Sequence, residues 1–349
     1  MKKILIHTWS HGHGRQFDPN VRDANNDPYI YLRERLDELG YSLETSDEHP
    51  LDDCVRILFF DAISVKPYAG WRGKIRRVNE YLKGKPPFRD LYGECRRAGM
   101  AERAALFLWE APAVSPANWD SDLHDLFSII LTWNDAVVDG RKFHKFYWPQ
   151  PRRFPQIPKT PFSQKKLLVN ISMNKFSRHP RELYSARRAT IRHFEQRRSD
   201  DFDLYGVDWD RPAGPFQRLF PFIYRPYPSY RGVIQHKWDI LPKYRFSLCY
   251  ENVYGEPGWI TEKIFDSMRA GCVPIYWGAP NIAEYVDADA FVDRRRFPSD
   301  RELEEFLMGV TEREYERYQK AMEAYLSSEH FARFLPPAFA DTVIRVLKL

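Results

Sequence analysis

The apolar residues of this chain gather in short continuous runs, each broken by a polar or glycine-containing loop. KKILIHTW at the start, VRILFFDA (55–62), RAALFLWEAP (103–112) and LFSIILTW (126–133) are such runs. Unbroken apolar stretches of this length are what parallel strands buried on both faces require. Between the first two lies PYIYLRERLDELG, whose apolar positions recur at helical spacing and which Gly40 closes as a C-terminal stop. Strands alternating with helical segments predict βαβ units and a doubly wound sheet.

The pattern stops at residues 149–161, PQPRRFPQIPKTP, where five prolines stand without periodicity and predict a stiff linker. It then restarts. KKLLVNIS, the helical RELYSARRATIRHFEQ, DFDLYG, LPKYRFSLCYEN and AFVDRR repeat the strand and helix alternation. A proline-rich aromatic stretch, 211–230, interrupts it and is long enough to predict a functional or mobile loop. The expected organisation is an N-terminal Rossmann-like domain over 1–150 that takes an acceptor, and a linker over 151–162. A second Rossmann-like domain over 163–310 takes a nucleotide sugar, and helices over 311–349 pack back toward the first domain. In such a pair of lobes, ligands bind at the carboxyl ends of the strands.

Composition narrows the class. With 349 residues, 43% hydrophobic, the chain is long enough for two cores and too apolar for disorder. Its net charge is +5, and doublets such as Arg96-Arg97, Lys165-Lys166, Arg187-Arg188 and Arg197-Arg198 scatter the basic residues. That distribution fits small phosphorylated ligands or an anionic membrane surface better than nucleic acid. The N-terminal apolar run is too short for a signal peptide or a membrane span, so a cytoplasmic protein, or one peripheral on the inner face of a membrane, is expected. The four cysteines form no CxxC and read as reduced core residues.

The densest chemistry lies in YENVYGEPGWITEKIFDSMRAGCVPIYWGAP, Tyr250 to Pro280. Thr261 is placed as a helix N-cap, with Ile260 and Phe265 as a hydrophobic staple, and Gly271 ends the helix. Glu262 in the first turn suits the helix dipole; Lys263 does not, because that end already carries about half a positive charge. An anion would offset the misfit. One account is a diphosphate held on the helix N-terminus with Lys263 adding a full charge and Glu262 accepting from ribose hydroxyls. The other is a pair of solvated residues on an ordinary capped helix.

Taken as a whole, this stretch resembles the donor-binding signature of the α1,3/4-fucosyltransferases, glycosyltransferase family ten. The matching elements are Tyr250-Glu251-Asn252, Thr261-Glu262-Lys263, Val273-Pro274 and Gly278-Ala279-Pro280, and the likeness continues through IAEYVDADAFVDRRRF. The resemblance implies an α/β protein of the GT-B fold, two Rossmann-like domains facing each other across a cleft. It implies inverting, metal-independent transfer of L-fucose from GDP-β-L-fucose to a glycan hydroxyl, with an α1,3-type linkage and no cofactor. Glu262 and Lys263 match the ribose-binding Glu and the phosphate-binding Lys, and Asn252 matches the loop Asn. Trp259 stands where relatives usually carry Tyr, which keeps an aromatic surface and removes a hydroxyl. A second phosphate-binding Arg on the first helix of the donor domain corresponds to Arg187 by apolar spacing, with Arg188 as the alternative.

Transfer with inversion needs a general base at the carboxyl end of a first-domain strand. Glu110, at the end of AALFLWE, stands there; the resemblance makes it the counterpart of the family's base, and the other account is a Glu that merely caps a strand end. The histidines of HTWSHGHGRQF lack acidic or cysteine partners for a metal; His11 and His13 are candidates to contact acceptor sugar, or belong to a plain surface loop. Asp208-Trp209-Asp210 imitates a metal-binding DxD by chance. By analogy the acceptor is a glycan of lipopolysaccharide, another surface polymer or a glycoprotein. Two other functions compete: the same scaffold with a different NDP-sugar, and a basic-aromatic nucleic-acid binder built on the 211–230 loop.

Overall fold

The apolar runs become strands of two parallel sheets. The computed structural model describes residues 1–8, 15–66, 70–82 and 88–349. They form two units, Met1–Arg152 with Leu335–Leu349, and Arg153–Phe334. In the first, β1 (Lys2–His7), β2 (Tyr41–Thr45), β3 (Cys54–Phe60), β4 (Ala104–Leu108), β5 (Ile129–Thr132) and β6 (Phe143–Lys145) lie in the order β2-β1-β3-β4-β5-β6. Every pairing is parallel, with Leu5 opposite Ile57 and Phe107 opposite Leu131. The strand order reverses between β1 and β3, and such a reversal leaves a crevice outside the carboxyl ends.

β2 and β6 were not visible as apolar runs. Both are edge strands, β2 with only two of its five residues buried and β6 three residues long with none, so neither shows the two-sided burial that marked the others. The helix Asp27–Glu38 ends where the sequence predicts, with Gly40 in the left-handed region at φ +81°. Aromatic side chains fill the core beneath β3 and β4: Phe60 stacks on Phe107 at 4.5 Å, and Trp109 stacks on Phe146 at 5.4 Å. Phe339, on the last helix Pro336–Leu347, packs edge-on or tilted against Tyr29, Phe107, Trp109 and Phe146. The segment expected as one C-terminal block from 311 is thus divided. Its helices Glu312–Leu326 and Glu329–Ala332 belong to the second unit and Pro336–Leu347 to the first.

The second unit holds β7 (Lys166–Ile171), β8 (Phe202–Tyr205), β9 (Tyr244–Tyr250), β10 (Val273–Trp277) and β11 (Val292–Asp293), all parallel, in the order β11-β10-β9-β7-β8. Here the order reverses between β7 and β9. The long 211–230 stretch contains a short helix, Pro215–Leu219, and a single 3-10 turn, Pro221–Ile223. All four cysteines are free and buried. Among the described residues no helix is long and apolar enough to cross a membrane.

Candidate functional site

β9 runs straight into Glu251 and Asn252 at the reversal of the second sheet. Glu251 is wholly buried. Its carboxylate accepts the Thr261 amide at 2.9 Å, the Thr261 hydroxyl at 2.9 Å and Lys263 Nζ at 2.9 Å. A buried carboxylate persists only when paired and hydrogen-bonded in this way. The anion that offsets the misplaced lysine is therefore, first of all, a protein side chain. In the sequence Glu251 stands out only as part of the Tyr250-Glu251-Asn252 motif, with no local signal of this role. Gly278 makes the close approach possible: a Cβ there would lie 2.5 Å from Glu251 Cγ and 2.6 Å from the Tyr276 hydroxyl.

Thr261 occupies the N-cap position of the helix Glu262–Arg269 with extended backbone, but its side chain does not cap. The hydroxyl is spent on Glu251 and on Lys263 Nζ at 2.8 Å. This corrects the expected capping role and leaves the first-turn amides without that partner. The other end of the helix follows the dipole rule. There Lys165 Nζ donates to the Gly271 carbonyl at 3.1 Å, joined by the Tyr315 hydroxyl at 2.8 Å.

Glu262 lies 3.6 Å from Lys263 Nζ and 3.8 Å from Lys237 Nζ. Burial pushes its carboxyl up, but the two ammonium groups outweigh burial and hold it at about 2. It is an ionised acceptor at any ordinary pH. Lys237, in the loop before β9, also donates to Asp266 at 2.6 Å and escaped the sequence reading because nothing in HKWDI marks its direction.

Arg187, on the helix Tyr184–Arg197, turns inward, is 3% exposed, and donates to the carbonyls of Tyr250 and of Glu251, the latter at 3.1 Å. It forms no ion pair among the described residues, its Nε has no partner, and burial pushes its guanidinium down. Arg188 points elsewhere, to the Lys175 carbonyl at 2.7 Å and Ser185 Oγ at 3.1 Å. The geometry therefore brings Arg187, Lys263, Thr261 and Glu262 together at one helix start and leaves Arg188 out. A buried network fixes Arg187's helix to β9: the Tyr250 hydroxyl meets Thr190 at 3.2 Å and Arg294 Nε at 2.9 Å, and Asp300 joins Thr190 and Arg294 at 2.8 Å each. Asn252 is half-buried, with its carbonyl accepting the Leu183 amide at 3.1 Å. Trp259 is 1% exposed, so what it offers this site is packing and not an aromatic surface for ligand. Asp208 and Asp210 lie 3.2 and 3.4 Å from Arg211 Nε, an ion pair on a loop.

In the first unit, Glu110 follows β4 and lines a cavity of about 410 Å³ with Thr8, Gln16, Tyr29, Asp61 and Trp109. His11 and His13 lie outside the described residues. His7 is buried and shares a hydrogen bond with Ser46 Oγ at 2.5 Å, so it serves the core. The residue that sequence reasoning missed here is Asp61, which follows β3 as Glu110 follows β4. Its Oδ1 accepts the amides of Trp109 at 2.7 Å and Glu110 at 3.0 Å, and also the Asn118 side-chain amide. It adopts φ +64°, a conformation costly for most L-residues. An acid at the end of ILFFD was the same signal that marked Glu110 in LFLWE.

Burial pushes the Asp61 carboxyl up to about 6, with the three donors pulling the other way. Its folded value lies above its unfolded one near 4, so the native state holds the extra proton between these pH values and gains stability as pH falls through 6. The gain is complete below the unfolded value and amounts to roughly 3 kcal/mol. His7, which burial pushes down to about 4, acts in the opposite sense over an overlapping range. Asp61→Asn, which keeps the acceptor and tolerates positive φ, is therefore expected to remove only the first effect. Thermal melts of variant and wild type should diverge by that amount between pH 7.5 and 4; parallel curves would show that Asp61 titrates normally.

Residues 231–334 match the family model described as Glycosyltransferase family 10 (fucosyltransferase) C-term. An α-(1,3)-fucosyltransferase, FucT, of Helicobacter pylori is 39% identical over 64 residues, 18% of this chain and 13% of that protein. GDP-fucose protein O-fucosyltransferase 3 of Bos taurus is 33% identical over 91 residues, 26% of this chain and 19% of that one. The aligned stretches thus span less than a fifth of each of these two relatives. A crystal structure of an α1,3-fucosyltransferase with GDP-fucose superposes with a TM-score of 0.54 at 14% identity, covering 99% of this chain and 90% of that chain. That likeness shows the fold, two parallel-sheet domains of the GT-B type. The family and both relatives are named fucosyltransferases, which are glycosyltransferases.

Proposed function

We propose that this chain, whose residues 231–334 form a glycosyltransferase family 10 C-terminal domain, transfers L-fucose from GDP-β-L-fucose to a glycan hydroxyl, with inversion, an α1,3-type linkage and no metal. The observation that carries the reading is Arg187: a buried guanidinium without an ion pair among the described residues, its buried Nε without a hydrogen-bond partner, near Lys263 at a helix start. A permanent cation is kept in such a place when an anion completes it, and an Arg fork with helix amides and a lysine suits a diphosphate.

In this reading Arg187 and Lys263 bind the diphosphate, ionised Glu262 accepts from the ribose hydroxyls, and Asn252 closes the loop over the nucleotide. Thr261 and Trp259 hold the backbone that presents these groups. As the acceptor oxygen attacks the anomeric carbon, Glu110 takes its proton and the bond to the GDP oxygen breaks, so the departing charge falls on Arg187 and Lys263. Asp61 positions Glu110 by accepting a hydrogen bond from its backbone amide. The relatives' names share fucose, some giving a linkage and others a protein acceptor, so the acceptor class is the least constrained part.

Calorimetry with GDP-fucose, GDP-mannose and UDP-glucose, in the presence of EDTA, tests the donor. GDP-fucose should bind at least tenfold more tightly than the others and be turned over against a panel of glycans with EDTA present. Preference for another sugar nucleotide would move the assignment to a different donor on the same scaffold, and turnover that EDTA abolishes would remove the metal-free mechanism.

A further inference from the structure

The basic residues are less evenly spread than their doublets suggest. Sequence positions 70–85, GWRGKIRRVNEYLKGK, hold six Lys or Arg and one Glu, a charge of 6 − 1 = +5, equal to the formal +5 of the whole chain. The rest of the chain therefore sums to zero. The helix Gly70–Leu82 of the first unit carries Arg72, Lys74, Arg76 and Arg77 against Glu80, a charge of 4 − 1 = +3.

That helix also turns apolar residues outward. Ile75, Val78 and Leu82, three and four apart, fall on one stripe. They are 50%, 56% and 75% exposed, with Tyr81 beside them at 82%. The stripe points away from the unit: Gly73 is buried, and a residue two positions along a helix lies about 200° round it, so Ile75 faces the opposite side. Exposed Lys74 and Arg77 lie along one side of the stripe. A core helix would show the reverse, its apolar stripe inward and its charges out. Another basic stretch, 211–231, carries its exposed aromatics on a five-residue helix and a 3-10 turn, too short for a stripe of two turns.

We propose that the helix Gly70–Leu82 docks the protein on an anionic lipid bilayer, its Ile75, Val78 and Leu82 stripe lying in the interface and its basic residues meeting the headgroups. An amphipathic helix with a strongly basic polar face and exposed apolar residues lies in the plane of such a membrane, where long basic side chains reach the headgroup level. Charge decides the partner. A zwitterionic or acid-poor surface offers nothing to a helix with a net charge of +3, and a nucleic acid offers nothing to the apolar stripe.

The test is co-sedimentation of the full chain with vesicles of phosphatidylcholine alone and of phosphatidylcholine mixed with phosphatidylglycerol. The protein should bind the mixed vesicles roughly tenfold or more tightly, and less so as salt is raised. Ile75→Ser with Val78→Ser should lower binding by about tenfold or more, and so, independently, should Lys74→Glu with Arg77→Glu. These positions are exposed, so melting temperature and nucleotide binding should not change. Equal binding to both vesicles would overturn the assignment. So would full binding by the Ser variant, or an oligonucleotide that binds more tightly than the anionic vesicles.

Discussion

Glu110→Gln is expected to bind GDP as the wild type does and to lose a factor on the order of 10²–10⁴ in turnover, the usual contribution of a positioned general base. The substitution keeps the shape of the side chain, and the backbone amide that Asp61 accepts is untouched, so the cavity should keep its form. The residues assigned to the nucleotide all lie in the other unit, which is why affinity and turnover should separate. Turnover near the wild-type level would remove Glu110 as the base. A parallel fall in GDP affinity would mean that the variant has disturbed more than proton transfer.

Lys263→Ala should have the second large effect, through two causes that can be told apart. Loss of a charge-assisted contact to a phosphate is worth about 1.5–3 kcal/mol, or roughly ten- to a hundredfold in GDP affinity. The same change strips buried Glu251 of its counter-ion. Breaking a buried pair costs about 3–5 kcal/mol, and somewhat less is expected here because the lysine side chain is 21% exposed. The paired change Lys263→Met with Glu251→Gln removes both charges and should restore most of the melting temperature while leaving GDP binding weak. Recovery of nucleotide affinity in the double variant would show that Lys263 merely neutralises Glu251.

The two ends of this site were unequally legible. Thr261-Glu262-Lys263 and the base candidate Glu110 stand out because each sits at a boundary between an apolar run and a polar loop, which is a local signal. Glu251 and Asp61 sit at similar boundaries and were passed over. What distinguishes them is burial and the donors that converge on them, Thr261 and Lys263 on one, Trp109, Glu110 and Asn118 on the other. None of that is written in neighbouring residues. The capping role expected of Thr261 failed for the same reason, since its hydroxyl answers to a carboxylate ten residues earlier.

The sequence by itself determined the central elements: continuous apolar runs commit to strands covered on both faces, a helical period commits to an amphipathic helix, and Gly40 and Gly271 end two helices. Those are consequences of side-chain periodicity, which a chain carries whatever its neighbours. The tertiary structure alone decided which of Arg187 and Arg188 turns inward, because consecutive helical residues lie about 100° apart and only packing on β9 selects one. It also brought Asp61 to the backbone of Glu110, 49 positions away, and Arg56 to the carbonyl of Leu347, 291 positions away. Such pairings follow from strand order and helix docking, and these depend on how much apolar surface each arrangement buries, a property of the whole chain and of no single stretch of it.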